Sequence, residues 1–232
     1  MRTLFSILVL IIFPSLASAQ AVPVRIILVG DSTVAPNNGW GPGFCRDVTA
    51  QVACVNMAKN GRSTNSYRAE GSWKEVMDAL QHNAEFSATW VFIQFGHNDQ
   101  PGKPRPADPA TEFPANLRQY VREFREAGAR PVLITSLTRR TFKDGKLEDN
   151  LGPWADATRK VASEEKVPVL DLNSDSAAAV QKMGSVEADK LAMAEPSFDY
   201  THLGEKGAVF FGRMVADELS HAVPELRPYI KP

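Results

Sequence analysis

Short, largely apolar runs alternate along this chain with stretches in which apolar residues recur every three or four positions. Residues 24–29 form a β-rich run that stops at Gly30. Val55 belongs to a weaker second run. Residues 90–95, 131–137 and 167–172 form the third, fourth and fifth. A run that is apolar at every position belongs to a strand covered on both faces. Between the runs the period changes. Phe113, Leu117, Tyr120, Val121 and Phe124 recur at helical spacing, and Gly128 stands where that helix would stop. Residues 155–165 and 205–219 read the same way. Such alternation predicts an α/β fold, a three-layer sandwich with helices on both faces of a parallel sheet. The proline-rich segment 101–109 reads as a loop, Asp144-Gly145 as a turn, and residues 224–232 as an irregular tail. No internal repeat or low-complexity block interrupts the pattern.

The N-terminus falls outside it. Arg2 precedes an apolar stretch over residues 4–16, broken by Ser6, Pro14 and Ser15, and Ala17-Ser18-Ala19 follows. That order predicts a signal peptide over residues 1–19, cleaved after Ala19. A membrane anchor is the alternative. The run is short for a hydrocarbon layer of about 30 Å, and Pro14 breaks it. Residues 20–232 are then one domain with its core over about 24–221. The expected mature protein is exported, either secreted or periplasmic, with no membrane attachment after cleavage. It is also expected to be monomeric.

The chain has 232 residues and a formal net charge of −1. It has no long basic run, which argues against nucleic acid as a partner. An oxidising compartment would permit the two cysteines, Cys45 and Cys54, to pair. Two buried thiols are the other reading.

In an open parallel sheet, ligands sit beyond the C-terminal ends of the strands. The polar groups there are Gly30-Asp31-Ser32, Asn60-Gly61-Arg62-Ser63 and Gly96-His97-Asn98-Asp99. Ser32 at a strand end suits a nucleophile, although Asp-Ser-Thr after a strand is also a helix-start signal. A serine nucleophile needs a base, and the base needs an orienting carboxylate. Asp199-Tyr200-Thr201-His202, just before the last amphipathic helix, supplies both types. The order Ser…Asp…His is one that hydrolases use, but the Gly-x-Ser-x-Gly elbow is absent. The backbone N–H groups of Ser32 and Gly61 and the Asn98 amide suit an oxyanion hole. Taken singly, each Gly-Asn pair could be only a turn.

These blocks, in this order, resemble the SGNH (GDSL-like) hydrolases. The resemblance spans residues 24 to about 219. Gly39-Trp40-Gly41, Asn60-Gly61-Arg62-Ser63-Thr64, Glu70-Gly71-Ser72-Trp73, the segment 92–100 and Arg139-Arg140-Thr141-Phe142 are similar to the rhamnogalacturonan acetylesterase branch. The resemblance implies a flavodoxin-like sheet of five parallel strands. It also implies removal of acetyl groups from an acetylated plant cell-wall polysaccharide or oligosaccharide, without metal or other cofactor. By position it makes Ser32 the nucleophile, His202 the base, Asp199 its orienter, and Gly61 and Asn98 oxyanion donors. Many members have Asp-Gly-Thr-His where this chain has Asp199-Tyr200-Thr201-His202, so Tyr200 is expected at the rim of the site.

Among the neighbours, Trp40 could line a sugar site and Arg62 could meet a uronate, with Arg139-Arg140 adding to the same surface. Trp73 is expected in the core. His82 and His221 are expected in solvent, and His97 is expected to support loop structure. Three rivals remain. A metal site of His97, Asp99, Asp199 and His202 would leave Ser32 idle. A lipase or thioesterase of the same superfamily would need an apolar groove beside Ser32, where Asn37, Asn38 and Arg46 stand. A non-catalytic carbohydrate-binding protein would have no use for the catalytic residue types.

Overall fold

The computed structural model describes residues 22–232, so the expected signal peptide lies outside the described residues. The predicted sheet is present. Strands β1 (Val24–Gly30), β2 (Val52–Asn56), β3 (Ala88–Gln94) and β4 (Arg130–Ile134) are followed by β5 (Phe142–Lys143), β6 (Lys146–Leu147) and β7 (Val169–Leu170). Five of them form one parallel sheet in the order β2-β1-β3-β4-β7. This is the flavodoxin-like order, with a switch of direction at β1 and β3. The other two make a hairpin, turned by Asp144 and Gly145 with φ of 49° and 76°. Positive φ at both turn residues is what a two-residue hairpin asks for, and Asp-Gly tolerates it.

Helices α1 (Gly41–Asp47), α2 (Thr64–Ala69), α3 (Ser72–Leu80), α4 (Glu112–Glu126), α5 (Gly152–Glu165), α6 (Leu172–Met183), α7 (Ser185–Asp189) and α8 (Glu205–Ala222) cover the sheet. Alternate residues of each strand face opposite layers. Ile26, Leu28, Phe92 and Ile134 pack with Phe44 of α1, Val180 of α6 and Phe211, Val215 and Leu219 of α8. Ile27, Val29, Val91, Ile93 and Leu133 pack with Tyr67, Val76, Leu117, Tyr120, Phe124 and Val161 of α2 to α5. Trp73 lies against Tyr120 and Phe124 on that side.

Two boundaries differ from the pattern. The fifth apolar run yields a strand of two residues, because Leu172 already begins α6. The tail is also less irregular than expected: residues Pro224–Tyr229 form a 3-10 helix that buries Leu226. Cys45 of α1 and Cys54 of β2 are joined as a disulfide across a sequence separation of 9.

Candidate active site

The parallel ladder brings three loops together at the C-terminal edge of the sheet. Gly30 pairs with Gln94, and Lys59 N–H donates to Gly30 O at 3.0 Å. The turns after β1, β2 and β3 therefore lie side by side. The fourth contributor, residues 199–202, comes from far downstream and is drawn in by helix packing. Gly43 of α1 and Gly212 of α8 let the two helices touch. A Cβ on Gly43 would lie 1.9 Å from Ala208 O, and one on Gly212 2.3 Å from Phe44 N. Helix α1 follows the Ser32 turn and α8 follows His202, so their contact brings the two loops together. Leu203 N–H closes the junction by donating to Asn38 O at 2.9 Å.

Ser32, 6% exposed, accordingly meets His202. Its Oγ lies 2.8 Å from His202 Nε2. His202 Nδ1 lies 2.6 Å from Asp199 Oδ2. The other carboxylate oxygen accepts the N–H groups of Thr201 and His202 at 2.7 and 2.6 Å. Burial pushes the Asp199 carboxyl up. The N–H and ring of His202 and the N–H of Thr201 outweigh that and hold it below the usual carboxylate range. An ionised Asp199 makes Nδ1 the protonated nitrogen and leaves the Nε2 lone pair facing the serine hydroxyl.

The oxyanion candidates lie on the three loops that follow β1, β2 and β3. Gly61 adopts φ of 74°, a left-handed conformation that a Cβ would disfavour. The backbone N–H groups of Ser32 and Gly61 find no acceptor among the described residues. Asn98 Nδ2 donates to Arg62 O at 3.3 Å, which ties the β3 loop to the β2 loop.

A buried polar chain supports the turn from below, and here one sequence expectation is corrected. Trp40 does not line a sugar site, since none of its surface is exposed. Its backbone N–H donates to Thr33 O at 2.8 Å. Its indole Nε1 donates to Gln94 Oε1 at 2.8 Å, Gln94 Nε2 donates to Thr33 Oγ1 at 2.6 Å, and Thr33 Oγ1 donates to Asp31 Oδ1 at 2.7 Å. Buried polar groups need such partners, so the indole serves the nucleophile turn instead of a ligand. Arg140 is likewise removed from the acidic-substrate surface. It is fully buried, and its guanidinium points at the carbonyls of the 199–202 loop.

Several groupings were not evident in the sequence. His97 does have a carboxylate neighbour: its Nδ1 lies 3.6 Å from Asp31 Oδ2, and both residues are buried. Burial pushes the Asp31 carboxyl up, but His97 and Thr33 pull it below its ordinary value. Burial lowers His97 despite Asp31. At that separation neither Asp31 Oδ2 nor either His97 ring nitrogen has a hydrogen-bond partner among the described residues. Asp99 accepts Thr64 N–H and Oγ1–H at 2.9 and 2.6 Å and Gly96 N–H at 3.1 Å, fastening α2 to the β3 loop. Burial still pushes its carboxyl up to about 7. Of the four residues considered for a metal, Asp199 and His202 contact each other, Asp99 is engaged by Thr64 and Gly96, and His97 lies beside Asp31. Among the described residues no group of three or more His, Cys, Asp or Glu is placed to hold a metal ion.

The remaining candidates are peripheral. Tyr200 is 48% exposed and packs edge-on against Phe198. Arg62 pairs with Glu70 at 2.8 Å. A cavity of about 400 Å³, lined by Pro36, Asn37, Arg46, Met193, Leu203 and Glu205 among others, opens near α1 and the start of α8 and is not lined by Ser32, Asp199 or His202. His82 and His221 are in solvent.

Residues 28–209 match the family model described as the GDSL-like Lipase/Acylhydrolase family. The chain is 34% identical over 226 residues to the rhamnogalacturonan acetylesterase RhgT of Bacillus subtilis, covering 90% of this chain and 94% of that protein. Among solved structures it resembles the Bacillus subtilis protein YXIM, with a TM-score of 0.71 and 25% identity. That match covers 87% of this chain but spans only 57% of the other. It also resembles a catalytic mutant of Axe2, an acetylxylan esterase from Geobacillus stearothermophilus. There the TM-score is 0.63 and the identity 18%, over 86% of this chain and 95% of that one.

Proposed function

The chain belongs to the GDSL-like lipase/acylhydrolase family, in its rhamnogalacturonan acetylesterase-like SGNH branch, and from that premise we propose that it removes O-acetyl groups from pectic rhamnogalacturonan through an acyl-enzyme on Ser32. At the coarser level it is a carboxylic ester hydrolase of the carbohydrate acetylesterase type. The observation that carries the acyl-enzyme reading is the unbroken contact from Asp199 through His202 to Ser32 Oγ, and the pectic substrate is supported by the similarity to rhamnogalacturonan acetylesterases.

The mechanism follows from those atoms. His202 Nε2 takes the Ser32 proton as Oγ attacks the acetyl carbonyl. The imidazolium that forms keeps its proton on Nδ1, which donates it to the Asp199 carboxylate. The carbonyl oxygen becomes an oxyanion, held by Ser32 N–H, Gly61 N–H and the Asn98 amide. Each such donor supports the step by about 3–4 kcal/mol. His202 then returns its proton to the departing sugar oxygen, which leaves Ser32 acetylated. A water, deprotonated by the same Nε2, attacks the acetyl-serine, and acetate is released with Ser32 and His202 restored.

Tyr200 supplies an exposed aromatic face at the rim. Arg62 can take a uronate only in competition with Glu70. We read residues 1–19 as a signal peptide that exports the chain to a compartment where the polymer is met.

The test is acetate release from acetylated rhamnogalacturonan and from acetylated xylan, with and without EDTA. Preference for the pectic polymer, unchanged by EDTA and lost in Ser32→Ala, is expected. Preference for xylan would move the substrate assignment without touching the triad. Loss in EDTA would revive the metal reading.

A further inference from the structure

Among the buried charges, Arg140 has been given no part in the reaction. Arg140 lies between β4 and β5 and is fully buried. Its backbone N–H donates to Tyr200 O at 2.8 Å. Its Nη2 donates to Asp199 O and to His202 O, both at 2.8 Å. Its Nη1 reaches Thr201 O at 3.4 Å. One residue therefore serves every carbonyl of the loop from Asp199 to His202.

The charges that bear on the guanidinium are Asp199 and Asp189. Neither carboxylate accepts a hydrogen bond from it among the described residues, and Asp189 Oδ1 has no partner at all. The cation is spent on carbonyls. A buried carbonyl needs a donor, and a segment that is neither helix nor strand has no ladder to supply one. A planar guanidinium holds several donors in a fixed fork, whereas a lysine offers three from a single point. The neighbouring Arg139 adds a weaker contact, Nε to Thr201 Oγ1 at 3.3 Å.

We propose that Arg140 is a positioning residue for the reaction: it gathers the four carbonyls of the 199–202 loop and so fixes where Asp199 and His202 stand relative to Ser32. The assignment rests on the triad reading given under Proposed function. The 2.8 Å contact between Nε2 and Oγ has little slack. A displacement of about 1 Å breaks it, and misplacement of that size costs about 10²-fold in rate.

The experiment compares wild type, Arg140→Met, Arg140→Lys and Ser32→Ala, each checked for folding by circular dichroism. The readouts are kcat and KM for 4-nitrophenyl acetate and the rate at which a fluorophosphonate labels the protein. Arg140→Met is expected to lose about 10²-fold in kcat with little change in KM, and labelling should slow by a similar factor. Arg140→Lys should recover part of both. A folded Arg140→Met with wild-type kcat would overturn the proposal. So would a loss that falls in KM alone. If Arg140→Met does not fold, Arg140→Gln carries the same comparison, and wild-type kcat in a folded Arg140→Gln overturns it. Ser32→Ala separates the two failures: activity in that variant would sink the triad reading itself, whereas its loss beside fully active Arg140 variants would sink only the role of Arg140.

Discussion

Replacing Asp199 by Asn tests the triad through a single proton. The Asp199 side chain uses its two oxygens differently. Oδ1 accepts two backbone N–H groups, at 2.7 and 2.6 Å, and Oδ2 faces His202 Nδ1 at 2.6 Å. An asparagine has one oxygen, and the two backbone donors will claim it. Its NH2 group is then turned toward Nδ1. A donor facing Nδ1 forces that nitrogen to be the acceptor, so the ring proton moves to Nε2, where it meets the Ser32 hydroxyl. The base is then in the wrong tautomer. Loss of that kind is worth about 10⁴-fold in kcat, or about 5 kcal/mol of barrier. The turn keeps its two N–H contacts, so stability should barely change. Asp199→Ala, by contrast, strands both N–H groups and should lower Tm, at about 1 kcal/mol for each lost hydrogen bond. The assay is kcat on 4-nitrophenyl acetate together with thermal unfolding. An Asp199→Asn enzyme within about tenfold of wild type would refute the tautomer reasoning.

Three further outcomes follow from packing and charge. Replacing Cys45 and Cys54 by Ala opens a loop of 9 residues. In the chain-entropy view this removes about 2.5 kcal/mol, seen as a Tm lower by about 5–10 °C; an unchanged Tm would contradict it. Gly43→Ala puts a Cβ 1.9 Å from Ala208 O, so α1 and α8 must part, at a cost of about 1–3 kcal/mol. Because those helices carry the Ser32 and His202 loops, kcat should fall along with Tm, and a fall in neither would count against the packing account. Burial and the nearby Asp175 and Asp171 push the Glu218 carboxyl up to about 8, from an ordinary 4.5. The folded state then holds a proton that the unfolded state releases. This contribution is fully present below pH 4.5 and is lost as pH rises through about 8. Glu218→Gln should flatten that part of the Tm-against-pH curve, and parallel curves for the two proteins would rule the effect out.

The sheet was legible because its central strands are apolar on both faces, as at Ile26 to Val29, whereas β2 at its edge is half-buried and gave only a weak run. Its edges were less so. The run at 167–172 is shared by β7 and α6, and a short apolar run does not reveal where one element hands over to the next. Ser32, Gly61, Asn98, Asp199 and His202 stood out because each lies in a compact polar block after a strand or before the last helix. What supports them did not. Trp40 follows an Asn-Asn-Gly turn and looks exposed, yet its indole partner Gln94 lies 54 positions away. Arg140 looks like half of a basic pair, but its acceptors are backbone carbonyls about 60 residues downstream, at separations of 59 to 62. Backbone acceptors leave no mark on residue type. Asp31 and His97 stood in quoted motifs, but their contact needed the register of β1 against β3.

The central claim is that Ser32 carries the acyl group. Mass spectrometry of enzyme acid-quenched during turnover of 4-nitrophenyl acetate tests it most directly. The account predicts one added acetyl group, located on the peptide that contains Ser32 and absent from Ser32→Ala. An acetyl group on another residue, or turnover by Ser32→Ala at the wild-type rate, would contradict it.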